Sequence, residues 1–194
     1  MADAGRVIAG SARGIRLQAP GGGTRPFGDR VKQTLFAILE PDLPGARVLD
    51  LFAGSGAAGI EALSRGAAAA VFVERDPAAV SMIQANLQAT GLGGAPRAIV
   101  LRVDVAAFIG RPADEHLPFD IVIIDPPYAD VELRDRVLHW LGAPIVPPLK
   151  PGARIVVKHF WRDQPPVRVG LLASERGRRF GETALTFYRR QEDG

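Results

Sequence analysis

Residues 48–63, VLDLFAGSGAAGIEAL, decide the fold. The stretch opens as an apolar run of strand character, after which Gly54, Gly56 and Gly59 spell G-x-G-x-x-G into a helical pattern. Glu74 closes the next apolar run, AVFVE, 20 residues after Gly54. Strand, glycine turn, helix and an acid at the second strand's end make a βαβ unit, whose ligand crevice lies beyond the carboxyl ends of the strands. Read by spacing alone, the unit is a dinucleotide site.

Outward from it the alternation continues. Strands are expected near residues 46–52, 70–74, 98–102, 119–125 and 154–158, with helices between them. A nearly continuous apolar strand such as FDIVIID implies burial on both sheet faces, hence a parallel, doubly wound sheet. The end of the chain, VRVGLLASERGRRFGETALTFYRR, reads as two strands around a basic loop, an antiparallel hairpin at the sheet edge. At the start, RVIAGSARGIRLQAP reads as a small hairpin carrying Arg6, Arg13 and Arg16, followed by the flexible loop GGGTRPFG. Asp29 is then expected to cap a helix whose Val31, Leu35, Ile38 and Leu39 share one face. The expected fold class is α/β and Rossmann-like, with a seven-stranded, mostly parallel sheet and a small N-terminal β-hairpin. Residues 1–27 form a hairpin-and-loop appendage and residues 28–194 the main domain.

With 194 residues, 47% hydrophobic, the chain can bury one good core and carry a small appendage. Absence of cysteine excludes disulfides and thiolate metal sites, and three scattered histidines argue against a catalytic zinc, so no metal is expected. MADAGRVIAG lacks the apolar core of a signal peptide and no segment is long enough to span a bilayer. A cytoplasmic protein with no membrane partner is expected, and nothing suggests more than a monomer. Charge is uneven: residues 1–32 carry six Lys/Arg against two Asp/Glu, residues 33–149 eight against fourteen, and residues 150–194 ten against five. Basic ends around an acidic middle suit a phosphate-rich partner approaching a site that holds a cationic ligand.

Two neighbours redirect the glycine loop. Asp50 ends the first strand, and a carboxylate beside a pyrophosphate is repulsive by about 1 kcal/mol or more at an effective dielectric near 20. Beside a cation it attracts. S-adenosylmethionine carries an ammonium and a sulfonium, no phosphate, and a ribose whose hydroxyls Glu74 can grip; the alternative is that Asp50 only caps the loop. The second neighbour is DIVIIDPPYAD, where a buried strand ends in Asp125-Pro126-Pro127-Tyr128. Two prolines fix a stiff extended turn at the strand's carboxyl end. Asp125 and the Pro126 carbonyl can then accept hydrogen bonds from an exocyclic amine while Tyr128 stacks on its ring, so that methyl transfer needs neither nucleophile nor metal.

These residues carry a resemblance. The segments RVIAG, TRPFGDRVKQTLFAIL, VLDLFAGSGAAGIEALSRGA, VFVERD, DIVIIDPPY and GETALTFY resemble, in order, the RsmD family of 16S ribosomal RNA guanine-N2 methyltransferases, across nearly the whole chain. The resemblance implies a class I methyltransferase domain, S-adenosyl-L-methionine as cofactor, and a guanine presented in the small ribosomal subunit. It places Asp125, Pro126 and Tyr128 in the catalytic motif. Asp50, Gly54 and Gly56 then fall around the methionine part of the cofactor, Glu74 at the ribose, Asp104 and Val105 at the adenine, and Thr24 and Arg25 in a loop closing over it. Arg6, Arg13 and Arg16 of the hairpin would help hold RNA. Two departures stand out. Relatives usually read FN where Phe36-Ala37 stands, and place an acid where Lys158-His159 stands. That basic pair is expected either to grip RNA phosphate, with Lys158 as the contact, or to be a surface charge change. Phe160-Trp161 is a stacking surface beside the pocket or rim packing. Other readings are an adenine-N6 nucleic-acid methyltransferase, a protein glutamine methyltransferase, a dehydrogenase, and a noncatalytic RNA-binding ribosome-assembly factor.

Overall fold

The computed structural model describes residues 2–21, 28–109, 118–144 and 149–192. Strands β1 (Ala2–Arg6) and β2 (Arg16–Ala19) pair as the antiparallel N-terminal hairpin. Helix α1 (Asp29–Leu39) follows, then β3 (Arg47–Leu51), α2 (Ala57–Ser64), β4 (Ala69–Glu74), α3 (Pro77–Thr90) and β5 (Ala98–Arg102). The second half runs α4 (Val105–Ile109), β6 (Phe119–Ile124), α5 (Val131–Leu141), β7 (Leu149–Phe160), β8 (Arg168–Val169), β9 (Leu172–Phe180) and β10 (Thr183–Arg190).

The main sheet has the order β5-β4-β3-β6-β7-β10-β9-β8. Its first five strands are parallel and its last three antiparallel. The two-residue β8 is one strand more than the seven expected. The order of connection reverses between β3 and β6: from β3 the chain steps outward to β4 and β5, then crosses back to β6 and β7. That crossing point puts the carboxyl ends of β3 and β6 side by side, with the Asp125 N–H 3.4 Å from the Leu51 carbonyl. The strands are apolar on both faces because both are covered. One core gathers α1, α2, α3 and the hairpin around Phe36, Ile60, Phe72 and Phe187; the other gathers α4 and α5 around Phe108, Phe119, Leu138 and Tyr188.

Local chemistry explains the helix ends. Asp76 accepts the Ala78 N–H at 2.9 Å, Pro77 opens α3 and Gly91 closes it at φ 67°. At α1 the expected cap differs. Gly28 is the cap residue and makes no side-chain bond, while Asp29 is the first helical residue and pairs with Arg6 at 3.6 Å. The buried face is also rotated from the expected one: Lys32, Leu35, Phe36 and Leu39 point inward and Val31 and Ile38 flank them. Lys32 can be fully buried because its Nζ donates to the Arg6 carbonyl and lies 3.9 Å from Glu61. Burial lowers its pKa, with Glu61 opposing that shift.

The hairpin is fastened to α2 and α3 by buried polar groups. Glu61 accepts the N–H groups of Ile8 at 2.8 Å and Ala9 at 3.0 Å, and Ser64 Oγ accepts that of Ala12 at 3.0 Å. Gly10 lies against α2 so closely that a Cβ there would fall 1.8 Å from the Ser64 carbonyl oxygen. On α3, Asn86 Oδ1 accepts the Gln18 N–H at 2.9 Å; its Nδ2 donates to the carbonyls of Gln18 at 2.8 Å and Ser55 at 2.9 Å. Among the described residues no helix is long and apolar enough to cross a membrane.

Candidate active site

A cavity of about 510 Å³ opens at the crossing point, walled by the loops after β3, β4, β5 and β6. Asp50, Gly54, Glu74, Asp104, Val105, Asp125, Pro126 and Tyr128 all line it, as does Ala58 on the first turn of α2. The glycine loop is built from backbone conformations that favour glycine: Gly54 has φ 55° and Gly56 φ 76°. Gly59 serves packing instead, since a Cβ would lie 2.3 Å from the Phe72 ring. Between β3 and the glycines, Phe52 holds φ 63°, a left-handed conformation that costs an aromatic residue about 1 kcal/mol or more. Its ring also lines the cavity.

The acids are held in different ways. Glu74 Oε2 accepts the Gly54 N–H at 2.8 Å, and Oε1 accepts those of Arg75 at 2.8 Å and Asp76 at 2.9 Å. Three backbone donors fix that carboxylate while leaving lone pairs toward the cavity. Asp50 is 2% exposed, and Oδ2 accepts the Gly59 N–H at 2.9 Å, so the capping bond is present. Burial pushes its carboxyl up to about 8, with Asp125 and Glu74 adding to the rise and the Gly59 N–H opposing it. Asp104 divides its oxygens between the Ala106 N–H at 2.8 Å, which starts α4, and exposed Arg75 at 3.2 Å.

Asp125 directly follows β6 and lines the cavity. Burial raises its pKa, and Lys158 opposes that rise from β7 with Nζ 2.8 Å from Oδ1 and 2.9 Å from Oδ2. This corrects the expectation for Lys158 and His159. Neither is a surface charge: Lys158 is 7% exposed with Asp125 as partner, and His159 is 3% exposed between the Phe160 carbonyl and Thr186 Oγ. Burial lowers the His159 pKa. Strand β7 is interior to the sheet, between β6 and β10, and is buried continuously from Ala153 to His159, so its end is interior where an isolated sequence reads as surface. Tyr128 is half-buried; its hydroxyl meets Thr183 Oγ1 at 2.7 Å, and Lys158 Nζ lies 5.8 Å from its ring centroid.

Arg6, Arg13 and Arg16 are not cavity residues. They stand on the hairpin, Arg6 and Arg16 with side chains 62% and 84% exposed beside Asp29 and Asp3. Thr24 and Arg25 lie outside the described residues. Sequence reasoning missed Phe52, Asp76 and Leu133 on the cavity wall, Lys158 as partner of Asp125, and Thr183 as partner of Tyr128. Thr183 had a signal in the GETALTFY segment; Lys158 had one in the unusual base at its position, given the wrong surroundings.

Comparison with known proteins adds the following. The family described as Conserved hypothetical protein 95 has a model that matches residues 5–189. Bacillus subtilis YlbH, provisionally named an rRNA methyltransferase, is 36% identical over 187 residues, 96% of this chain and 99% of its own. The Escherichia coli protein named Ribosomal RNA small subunit methyltransferase D is 42% identical over 124 residues, which span 63% of this chain and 60% of its own length. A solved structure from Escherichia coli, yhhF, provisionally titled a methyltransferase, matches with TM-score 0.84 and 32% identity over 96% of this chain and 97% of its own.

Proposed function

The chain belongs to the RsmD family, and from that premise we propose that it transfers a methyl group from S-adenosylmethionine to the exocyclic N2 of a guanine in 16S rRNA, within the small ribosomal subunit. The observation that carries the reading is the convergence of Asp50, Glu74 and Asp125 on one cavity beside a rigid Asp-Pro-Pro-Tyr loop. At about 510 Å³ the cavity has small-ligand dimensions. Acids at these three positions, with Asp50 able to ionise against a bound cation, suit a ligand bearing an ammonium and a sulfonium and oppose a pyrophosphate. The relatives' names point to rRNA as the acceptor.

Glu74 would hold the ribose hydroxyls with its spare lone pairs, Asp50 the ammonium, and Asp104 and Val105 the adenine end. The cofactor supplies an electrophilic methyl group on its sulfonium. Asp125 and the Pro126 carbonyl accept the two amine hydrogens and turn the nitrogen lone pair toward that methyl. Tyr128 stacks on the guanine ring, its hydroxyl tied to Thr183. Lys158 opposes the rise that burial imposes on Asp125 and so favours the carboxylate form, which accepts the hydrogen bond and can take the proton that the nitrogen sheds after transfer. Positioning and fixed charge provide the acceleration. The reading includes a monomer working in the cytoplasm, with the hairpin arginines on RNA.

The test offers labelled S-adenosylmethionine with small subunits from a strain lacking this protein, free 16S rRNA and duplex DNA, followed by nucleoside analysis. N2-methylguanosine, chiefly in the subunit, is the expected product. Methyladenosine overturns the acceptor, and absence of label despite cofactor binding overturns the activity.

A further inference from the structure

Nearly every described aromatic ring belongs to one of the two cores or packs against it. The exceptions are Tyr128, Phe160 and Trp161. These three are consecutive in space: the Tyr128 and Phe160 ring centroids lie 6.3 Å apart, and those of Phe160 and Trp161 another 6.3 Å. All three are half-buried, unlike the rings of the two cores. The row begins at the loop that faces the cavity and runs outward along the end of β7. It is held there by β10, whose Thr183 pairs with Phe160 in the sheet and bonds the Tyr128 hydroxyl.

Charge accompanies the rings. The Arg179 guanidinium lies 3.6 Å from the Trp161 centroid and is fixed by its Nε donating to the Gly181 carbonyl at 2.9 Å. Arg162 lies 4.9 Å from the same centroid. Both arginines are exposed. Two exposed guanidinium groups beside one half-buried ring join flat stacking surface to positive charge, the combination that unpaired nucleotides use, because bases stack on flat rings and guanidinium planes while phosphates need positive charge within reach.

We infer that Tyr128, Phe160 and Trp161 form a stacking track for unpaired RNA nucleotides adjoining the target guanine, with Arg162 and Arg179 holding their phosphates. The inference rests on the proposed function, since the track starts at the ring assigned to the target base. It adds that the RNA is single-stranded where it leaves the cavity, and that it leaves toward the β7–β10 edge.

The chain has two tryptophans, and the other, Trp140, packs edge-on against Phe108 at 5.9 Å. In a Trp140→Phe protein the tryptophan emission, excited selectively over the two tyrosines, therefore comes from Trp161 alone. Titration with a guanine-containing single-stranded RNA 12-mer is expected to quench it strongly, and a duplex of the same sequence to do so far less. Against small subunits, Trp161→Ala should raise KM about tenfold, Trp161→Phe much less, with kcat and S-adenosylmethionine affinity unchanged, in keeping with the typical value of one stacked base. Arg179→Gln, at an exposed position, should raise KM about threefold and lessen the salt dependence of binding.

Methylation of subunits with emission that no RNA quenches, and an unchanged KM in both Trp161→Ala and Arg179→Gln, overturns the track and leaves the proposed function standing. Quenching by single strands with no methyl transfer to any RNA keeps the track and removes the function. Equal damage from Trp161→Phe and Trp161→Ala, with a lowered Tm and no quenching, assigns Trp161 to packing. Capture of a ribosomal protein at this edge with no response to RNA makes it a protein-docking surface and overturns the inference.

Discussion

The two halves of the cavity are made differently. On the β3–β4 side, backbone does most of the work: Glu74 is fixed by three N–H groups, Asp50 by a fourth, and the turn by glycine conformations. On the β6–β7 side, side chains do it: Asp125 is held by Lys158 and Tyr128 by Thr183. On the proposed function the first half would hold the cofactor through acids set in place by backbone, whereas the second would hold the acceptor through side-chain contacts from distant strands. Substitutions in the two halves should therefore separate cofactor affinity from turnover.

The largest expected effect separates the halves. Asp125→Ala removes an acceptor used mainly in the transition state and should lower kcat by about 100-fold or more while leaving the cofactor Kd within a few-fold, by single-turnover and equilibrium-binding measurements. Equal loss in both would erase the distinction. Glu74→Ala is the converse: cofactor Kd should rise about 10- to 100-fold, the range of charged hydrogen bonds, with kcat at saturation nearly unchanged.

Lys158→Met sharpens the side-chain half. Burial already raises the Asp125 pKa and Lys158 opposes it, so loss of the ammonium raises it further. An acid with a raised pKa is ionised only at higher pH. The variant should have a lower kcat than the parent at pH 7 and regain activity as the pH is raised, its pH profile displaced to higher pH than the parent's.

Asp50 bears on the backbone half. With its folded value at about 8 against an ordinary 3.8, the folded state keeps a proton that the unfolded chain has lost. The stability this contributes is whole below the ordinary value and drains away as pH climbs from there toward 8. Without cofactor, Tm should fall between pH 5 and 8.5, and Asp50→Asn should flatten that decline. Cofactor binding carries the opposite sign: the advantage of the parent over Asp50→Asn in Kd should grow with pH until about 8. The smallest effect belongs to the hairpin. Arg16→Ala should weaken RNA binding slightly and reduce its salt slope by about one unit or less, since Arg16 is exposed and shares Asp3.

The same contrast explains what could be read in advance. Asp50, Gly54, Gly56 and Glu74 lie within one βαβ unit, where the short path from strand to turn to helix makes spacing a guide to position. Asp125 and Tyr128 were legible because two prolines stiffen their own neighbourhood. Lys158 reads as surface in the sequence because its burial depends on β10 extending the sheet beyond β7, and β10 arrives from the far end of the chain. Lys32 was left off its helix face for a related reason. A lysine in an apolar stripe breaks the pattern unless Glu61, on another helix, is known to wait for it. The strained Phe52 has no signature in composition or period at all; only the backbone shows it.

Asn86 carries a different kind of consequence. One side-chain amide joins Gln18, at the end of the hairpin, to Ser55, inside the glycine loop. The hairpin therefore cannot be treated as cargo that a shuffled gene could add to an existing domain or shed without notice. Its departure would strand polar groups on Glu61, Ser64 and Asn86 and loosen the glycine turn at the cavity. Inheritance should then act on the arm and the loop as one unit, and a descendant that lost the first would have had to rebuild the second.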